Sequence, residues 1–306
     1  MTAVFGFINK WVFAPVLNFF LGITDGNYAL SIFLFTLALN IILIPLTVKG
    51  QKSAVGQFKI KPKLDELKKR CGDDKQKYNQ GMQKLYQDNN ISMGGGCLPM
   101  ILRLVLVMSV YYLVLSPLTY FTSLNAEAID AAVKALPEEL VAKRTTYSEL
   151  FVIEQAYATG SGNIFDAIKN LDFNFLGINL TQKPQFTLNF SKAGVDFKLW
   201  IIPFLSFAAA MFSGIYSSIH QKRSNPDAPS MMGMMLMMPL FSLWIAFNAP
   251  CGLGFYWACS SLIGAFIQMF INRFFSPAKL VAKEQANLII KRDAEEKKFA
   301  SSKAAK

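Results

Sequence analysis

Residues 28–48, YALSIFLFTLALNIILIPLTV, decide the fold because they contain no charged side chain. An α-helix needs about 20 apolar residues to cross a hydrocarbon core roughly 30 Å thick, so this stretch predicts a membrane-spanning helix. Four more apolar stretches follow along the chain. Away from the ends of these five stretches, Arg103 is the only charged residue. The sequence therefore predicts an all-α, polytopic membrane protein with five spans, at residues 28–48, 98–120, 198–220, 231–249 and 250–273.

The composition argues against a soluble enzyme. Of the 306 residues, 53% are hydrophobic and only 17% are charged, whereas soluble domains usually carry about 25% charged residues. His220 is the only histidine, the four cysteines lack the spacing of a metal site, and the sequence has no phosphate-binding glycine loop. We therefore expect no catalytic residue, no metal and no cofactor.

Lysine and arginine are distributed unequally among the connections. Residues 49–97 hold eleven, residues 220–230 hold two and residues 273–306 hold nine, whereas residues 121–197 hold six together with nine acidic residues. Connections rich in lysine and arginine face the cytosol in most membrane proteins. The amino terminus is therefore expected outside, and the carboxyl terminus in the cytoplasm.

The segment before the first span, residues 1–27, has two interpretations. Lys10 lies in the middle of its apolar run, Trp11 follows it, and Pro15 weakens the case for a straight span. These features favour an amphipathic helix that lies in the membrane interface. A spanning signal anchor is the alternative, and no cleavage pattern follows the segment.

The two largest basic segments are both predicted to be helical. Residues 49–97 predict a cytosolic helical hairpin, because apolar residues such as Leu64, Leu67 and Cys71 recur at helical spacing. Residues 274–306 form a basic tail, which is either a solvated extension or a contact for the ribosome or acidic lipid. The extracytoplasmic loop at 121–197 is the least informative part.

Arg103 is the most informative single residue. It lies about 9 Å below the inner edge of the second span, and Asn40 lies about 12 Å deep in the first, at 1.5 Å per residue. The spans contain no acidic partner for Arg103, and an unpaired guanidinium at this depth needs water, carbonyls or a visiting charge. One interpretation is a wet, cytosol-open cavity lined by Arg103, Asn40 and Thr36. The other is that the long Arg103 side chain snorkels to the headgroups.

Seven motifs occur in the order found in a known family: NYALSI (27–32), IPLT (44–47), KPKL (61–64), DDKQK (73–77), KLY (84–86), GGCLP (95–99) and PCGLGFYW (250–257). On these residues the chain resembles the YidC/Oxa/Alb family of membrane insertases, over about 28–120 and 198–275. The resemblance is to the Gram-positive form, since no large domain follows the first span. It implies five spans around a hydrophilic groove that is closed to the outside and open to the cytosol and lipid.

The resemblance also implies which residues line this groove. The family usually has Arg or Lys five residues before the proline of the first span, where this chain has Asn40. It commonly has Gln six residues after the cysteine of Cys-Leu-Pro, where this chain has Arg103, so the charge stands on the facing helix. Matching positions imply substrate contact or groove lining by six further residues: Thr36, Leu104, Val107, Tyr256, Trp257 and Ser261. Ser261 departs from the family, which often has Asn there.

The function implied by the resemblance is membrane protein insertion. Such a protein guides hydrophobic segments and short polar tails of nascent proteins into the plasma membrane, alone or with the Sec translocon. The expected partners are nascent membrane proteins, lipids and, through the hairpin and tail, the ribosome; no small-molecule substrate is expected. A transporter using Arg103 as an anion site and an assembly chaperone stay open as alternatives, although transporters usually show paired broken helices in repeated halves.

Overall fold

The computed structural model describes residues 2–72, 74–89, 98–137, 147–187, 195–224, 232–275 and 277–304, most of them helical. The chain divides into two compact units. One comprises Met1–Ile42 and Arg103–Phe266, and the other comprises Leu43–Leu102 and Ile267–Lys306. The mostly helical chain and its long apolar helices confirm an all-α membrane protein at the level of fold class.

Three helices in the described residues are long and apolar enough to cross a membrane: Phe5–Ile23, Phe197–His220 and the helix that begins at Cys251. The first span would be a fourth, if Tyr28–Ile42 and Ile44–Gly50 are taken together. The shorter apolar helices Val105–Leu115 and Pro239–Asn248 coincide with the predicted second and fourth spans. The count of five spans stays a prediction.

The first span is interrupted at Leu43, between the helices Tyr28–Ile42 and Ile44–Cys71. Pro45 lies in the first turn of the second helix. Proline has no backbone N–H and its ring collides with the carbonyl of the residue four positions earlier, so a helix is broken just before it. The first span over residues 28–48 stays a prediction, and within it the helix is interrupted at Leu43.

The N-terminal segment is helical from Thr2 to Ile23, with a π-helical turn over Asn9–Phe13. Pro15 follows that turn and cannot donate to the carbonyl of Trp11, which accounts for the irregular hydrogen bonding before it. The Nδ2 of Asn9 donates to the carbonyl of Ser109 at 2.9 Å, and Asn9 is fully buried. Its interfacial placement stays a prediction, since Phe5–Ile23 also has the length and composition of a span.

The predicted second span falls on the helix Leu98–Leu115 and a short helix, Pro117–Phe121. The predicted third, fourth and fifth spans fall on the helices Ile201–Ser224, Met232–Asn248 and Cys251–Phe275. Large apolar side chains of the third and fourth spans are exposed on the protein surface, as expected of residues that face lipid. Examples are Phe204, Phe212, Leu240, Phe241 and Trp244.

Between the second and third spans, the described loop forms the helices Ala126–Lys134, Ser148–Thr159 and Asn163–Ile168. A two-stranded antiparallel hairpin follows, pairing Asn174–Phe175 with Ile178–Asn179. The core of the first compact unit lies where this loop meets the ends of the spans that adjoin it. Its fully buried side chains include Tyr28, Leu113, Leu118, Ile168, Leu180, Ile202 and Leu253.

The other unit contains the helices Ile44–Cys71, Lys75–Asp88 and Pro277–Ala304. Asp74 caps the second of these helices, because its carboxylate accepts a hydrogen bond from the N–H of Lys77 at 2.9 Å. Gly81 lies so close to Leu67 that an added Cβ would stand 2.8 Å from the Leu67 Cδ1. The first two helices therefore pack closely against each other at this glycine.

Candidate functional site

Thr36 and Asn40 form a polar pair within the apolar helix Tyr28–Ile42. The Nδ2 of Asn40 donates to the carbonyl of Thr36 at 2.8 Å, and the Thr36 hydroxyl donates to the carbonyl of Ile32 at 2.6 Å. Thr36 is only 1% exposed, whereas Asn40 is half-buried. The two residues share one helix face, and Asn40 is the one that presents polar surface.

The candidate residues of the fifth span differ in accessibility. Tyr256 is 4% exposed, whereas Trp257 and Ser261 are half-buried. Trp257 and Ser261 are four residues apart and therefore lie on the same face of the helix. Val107 of the second span is also half-buried. Among the candidate residues whose side chains the structure describes, these three and Asn40 are the ones with accessible surface.

Arg103 and Leu104 lie in the helix Leu98–Leu115, but their side chains lie outside the described part of the structure. The predicted wall of Arg103 and Asn40 therefore stays a prediction. The same holds for the choice between a groove-lining and a snorkelling guanidinium.

At the other end of the same helices, the first, second and fifth spans meet around Gly252. A Cβ on Gly252 would stand 3.2 Å from the Val114 Cγ1, 3.7 Å from the Tyr28 Cε1 and 3.2 Å from the carbonyl oxygen of Leu180. Tyr28 is buried and its ring packs against Phe173 at a centroid distance of 4.9 Å. Sequence reasoning missed this junction, although Gly252 marks it in the sequence.

The loop between the second and third spans carries a buried carboxylate. Glu149 is 9% exposed and accepts two hydrogen bonds from Thr119, one from the N–H at 3.0 Å and one from the hydroxyl at 2.6 Å. Burial raises the pKa of Glu149 above its usual range, although the hydrogen bonds from Thr119 oppose the shift. This carboxylate ties the helix Ser148–Thr159 to the end of the second span.

Two cavities in the described residues lie beside the same loop. One, of about 1090 Å³, is lined by polar residues that include Asn18, Asp25, Tyr157, Asn170 and Asp172. The other, of about 850 Å³, is lined by residues that include Tyr147, Glu154, Phe186, Asp196 and Asn248. Burial and the neighbouring Tyr111 raise the pKa of Tyr147 to about 12. Neither cavity is lined by a candidate groove residue.

In the described residues, no three His, Cys, Asp or Glu side chains are grouped so that they could hold a metal ion. Cys251 and Cys259 are buried on the fifth span, eight residues apart.

Long apolar helices with a polar pair inside one of them define a multi-pass helical membrane protein. Residues 19–279 match the family of 60Kd inner membrane proteins, so the chain belongs to this family, which is the YidC/Oxa/Alb family. Its membership confirms that the chain is not an enzyme, and identifies it as a multi-pass protein of the bacterial plasma membrane.

Three curated relatives are each named membrane protein insertase YidC. The protein of Fusobacterium nucleatum is 26% identical over 261 residues, covering 84% of this chain and 93% of that protein. The protein of Magnetococcus marinus is 40% identical over 96 residues, or 31% of this chain and 17% of that protein. The protein of Shewanella pealeana is 38% identical over 114 residues, or 36% of this chain and 21% of that protein. The chain thus spans nearly all of the first relative and about a fifth of the other two.

Proposed function

We propose that this protein is a membrane insertase that guides hydrophobic segments and short polar tails of nascent proteins into the plasma membrane. Its working site is a positively charged groove that opens to the cytosol and to lipid, and it acts alone or with the Sec translocon. Arg103 supplies the charge, Asn40 supplies the facing amide, and Val107, Trp257 and Ser261 line the path. Thr36, Leu104 and Tyr256 complete the set carried over from the family.

The observation that carries the proposal is the match over 84% of the chain to a relative named as an insertase. The match to the family extends from residue 19 to residue 279 and includes every predicted span. The half-buried amide of Asn40, set in an otherwise apolar helix, adds physical support because polar groups within a span usually have a functional reason.

A groove of this kind lowers the barrier to translocation without making or breaking a bond. A polar tail that crosses a bilayer loses its hydration, and the cost is highest for charged groups. A wet indentation shortens the dry path, and a guanidinium within it attracts an acidic tail. The hydrophobic part of the substrate meanwhile leaves sideways into lipid.

The distribution of charge supports the orientation and one partner. The excess of lysine and arginine in residues 49–97 and 273–306 supports a cytosolic hairpin and tail, with the amino terminus outside. Lys283, Lys291 and Arg292 of the helix Pro277–Ala304 are exposed. A basic helix beside the membrane suits the phosphates of ribosomal RNA, and we propose the ribosome as the partner of this surface.

The test is rescue of a YidC-depleted bacterium, followed by protease protection of a short translocated tail. An insertase restores both growth and passage of the tail across the membrane. Recovery of complex assembly without passage of the tail would indicate a chaperone instead. If neither complex assembly nor passage of the tail recovers, the transporter alternative is favoured.

A further inference from the structure

The loop before the third span contains a segment, residues 168–182, that we call the outer clasp. Its carbonyl groups cover the beginning of the fifth span. The N–H of Cys251 donates to the carbonyl of Gln182 at 2.8 Å, and the N–H of Gly252 donates to the carbonyl of Leu180 at 2.7 Å. The first N–H groups of a helix have no partner inside that helix. The clasp therefore satisfies donors that would otherwise need water at the end of a span.

The same segment also holds the beginning of the first span. The N–H of Tyr28 donates to the carbonyl of Asp172, and the N–H of Asp172 donates to the carbonyl of Gly26, both at 2.9 Å. Gly26 has a φ of +79°, and a Cβ added to it would stand 1.8 Å from the carbonyl oxygen of Asn170. Only glycine fits here, so this close approach depends on residue 26 in both conformation and space.

Apolar side chains fill the space between these two backbone connections. Phe173 and Leu180 are buried, with 2% and 1% exposure. Phe173 packs against Tyr28, and Phe175 packs against Phe255 of the fifth span at a centroid distance of 4.7 Å. The junction between the clasp, the first span and the fifth span is therefore packed with apolar side chains as well as hydrogen-bonded.

We propose that the outer clasp is the seal that closes the extracytoplasmic end of the groove, by fixing the first and fifth spans to each other. This assignment rests on the proposed function and its orientation. It gives the loop a structural task, namely to keep water and ions from following a substrate through the protein. A substrate then leaves the closed groove through its lipid-facing side.

Cys251 is a natural reporter for this seal, because it is buried with 0% exposure directly beneath the clasp. In a protein whose other cysteines are replaced (Cys71→Ser, Cys97→Ser, Cys259→Ser), intact cells are treated with a membrane-impermeant maleimide. We expect Cys251 to react at least tenfold more slowly than a cysteine introduced by Leu176→Cys, since Leu176 is 88% exposed at the hairpin turn. Gly26→Ala should open the clasp and raise labelling of Cys251 severalfold.

Gly22→Ala is the matched control, because a Cβ on Gly22 would meet nothing within 4 Å. If Gly26→Ala fails to accumulate, Gly252→Ala is the milder variant, since its Cβ would press on Leu180 and Val114 at 3.2 Å. Rapid labelling of Cys251 in the protein that keeps Gly26 and Gly252 overturns the proposal of a seal. So does a protected Cys251 in every opened variant that accumulates.

The Leu176→Cys control separates this proposal from the proposed function. A cysteine at position 176 that reacts only after the cells are permeabilised shows that the loop faces the cytosol. That result overturns the orientation on which the insertase proposal rests. A reactive position 176 combined with an unprotected Cys251 overturns the seal alone.

Discussion

The side-chain amide of Asn40 donates a hydrogen bond to the carbonyl oxygen of Thr36, one helical turn earlier and 2.8 Å away. The bond orders the Asn40 side chain along its own helix and satisfies one of its donors. Since Asn40 is half-buried and Thr36 is 1% exposed, the two neighbours are not equivalent towards a substrate. Asn40 can meet a visiting segment, whereas Thr36 lies behind it.

We therefore expect Asn40→Val and Thr36→Val to differ. Asn40→Val removes polar surface from the proposed groove wall and should slow insertion of a substrate with a polar tail severalfold. Thr36→Val removes a buried hydroxyl that bonds only within its helix, so it should change the rate less than about twofold. Protease protection of the tail in depleted cells measures both rates. Equal losses in the two variants would show that Thr36 also touches the substrate.

The link between Glu149 and Thr119 predicts a loss of stability when one donor is removed. Thr119→Val deletes the hydroxyl that lies 2.6 Å from the Glu149 Oε1 but keeps the backbone donor. Leaving a buried carboxylate short of a partner should cost about 1–3 kcal/mol of unfolding free energy. Thermal unfolding in detergent measures the change, and Thr159→Val is the control because that hydroxyl bonds only to carbonyls of its own helix. An equal loss of unfolding free energy in Thr119→Val and Thr159→Val would show that the hydrogen bond to Glu149 makes no special contribution.

Glu149 also predicts a dependence on pH. Its folded pKa is raised by burial, so the folded state binds a proton more tightly than the unfolded state. Its contribution to stability is therefore present at acid pH and declines as the pH rises from about 4.3, the unperturbed value, through the raised pKa. The unfolding free energy of the wild type, relative to that of Glu149→Gln, should fall as the pH rises over this range. A relative stability that is flat or increases with pH contradicts the burial argument. Burial also raises the pKa of the neighbouring Glu154, so Glu154→Gln measures the contribution of that carboxyl to the pH dependence.

The exposed cations of the C-terminal helix predict salt-sensitive binding to ribosomes. Replacing Lys283, Lys291 and Arg292 by glutamine should weaken co-sedimentation with empty ribosomes severalfold at low salt and flatten its salt dependence. Lys134→Gln with Lys169→Gln is the control, because these lysines pair with Asp130 and Asp166 in the other unit. Unchanged ribosome binding in the tail variant, with weaker binding to anionic vesicles, would assign the tail to lipid instead.

The sequence predicts much of the fold because spans have a strong one-dimensional signal. Charge is absent over about 20 residues, and the helices Ile201–Ser224 and Cys251–Phe275 fall where such runs occur. The interruption at Leu43 has an equally local cause in Pro45, although a hydropathy pattern alone runs through it. The π-helical turn before Pro15 is another local effect that a period of 3.6 residues does not reveal.

The candidate site was less predictable, since its parts depend on tertiary contacts. The shared face of Thr36 and Asn40 follows from helical spacing, but the burial of Thr36 depends on what packs against it. The outer clasp was missed because Asp172, Leu180 and Gln182 act through backbone groups, which leave no trace in side-chain patterns. Gly26 and Gly252 are the residues of this junction that a sequence can point to, and Gly26 suggests no more than a turn.

The position of the positive charge is the central claim, and a charge exchange tests it most directly. In YidC-depleted cells, passage of an acidic tail is measured by protease protection for the wild type, Arg103→Ala, and Asn40→Arg combined with Arg103→Gln. We expect Arg103→Ala to reduce passage of an acidic tail severalfold more than passage of a neutral tail. The combined variant should restore passage of the acidic tail. Arg273→Ala is the control, because it changes an exposed arginine near the end of the fifth span, and it should not reduce passage of the acidic tail. A combined variant that accumulates normally but passes no tail would contradict a charged groove shared by the first and second spans.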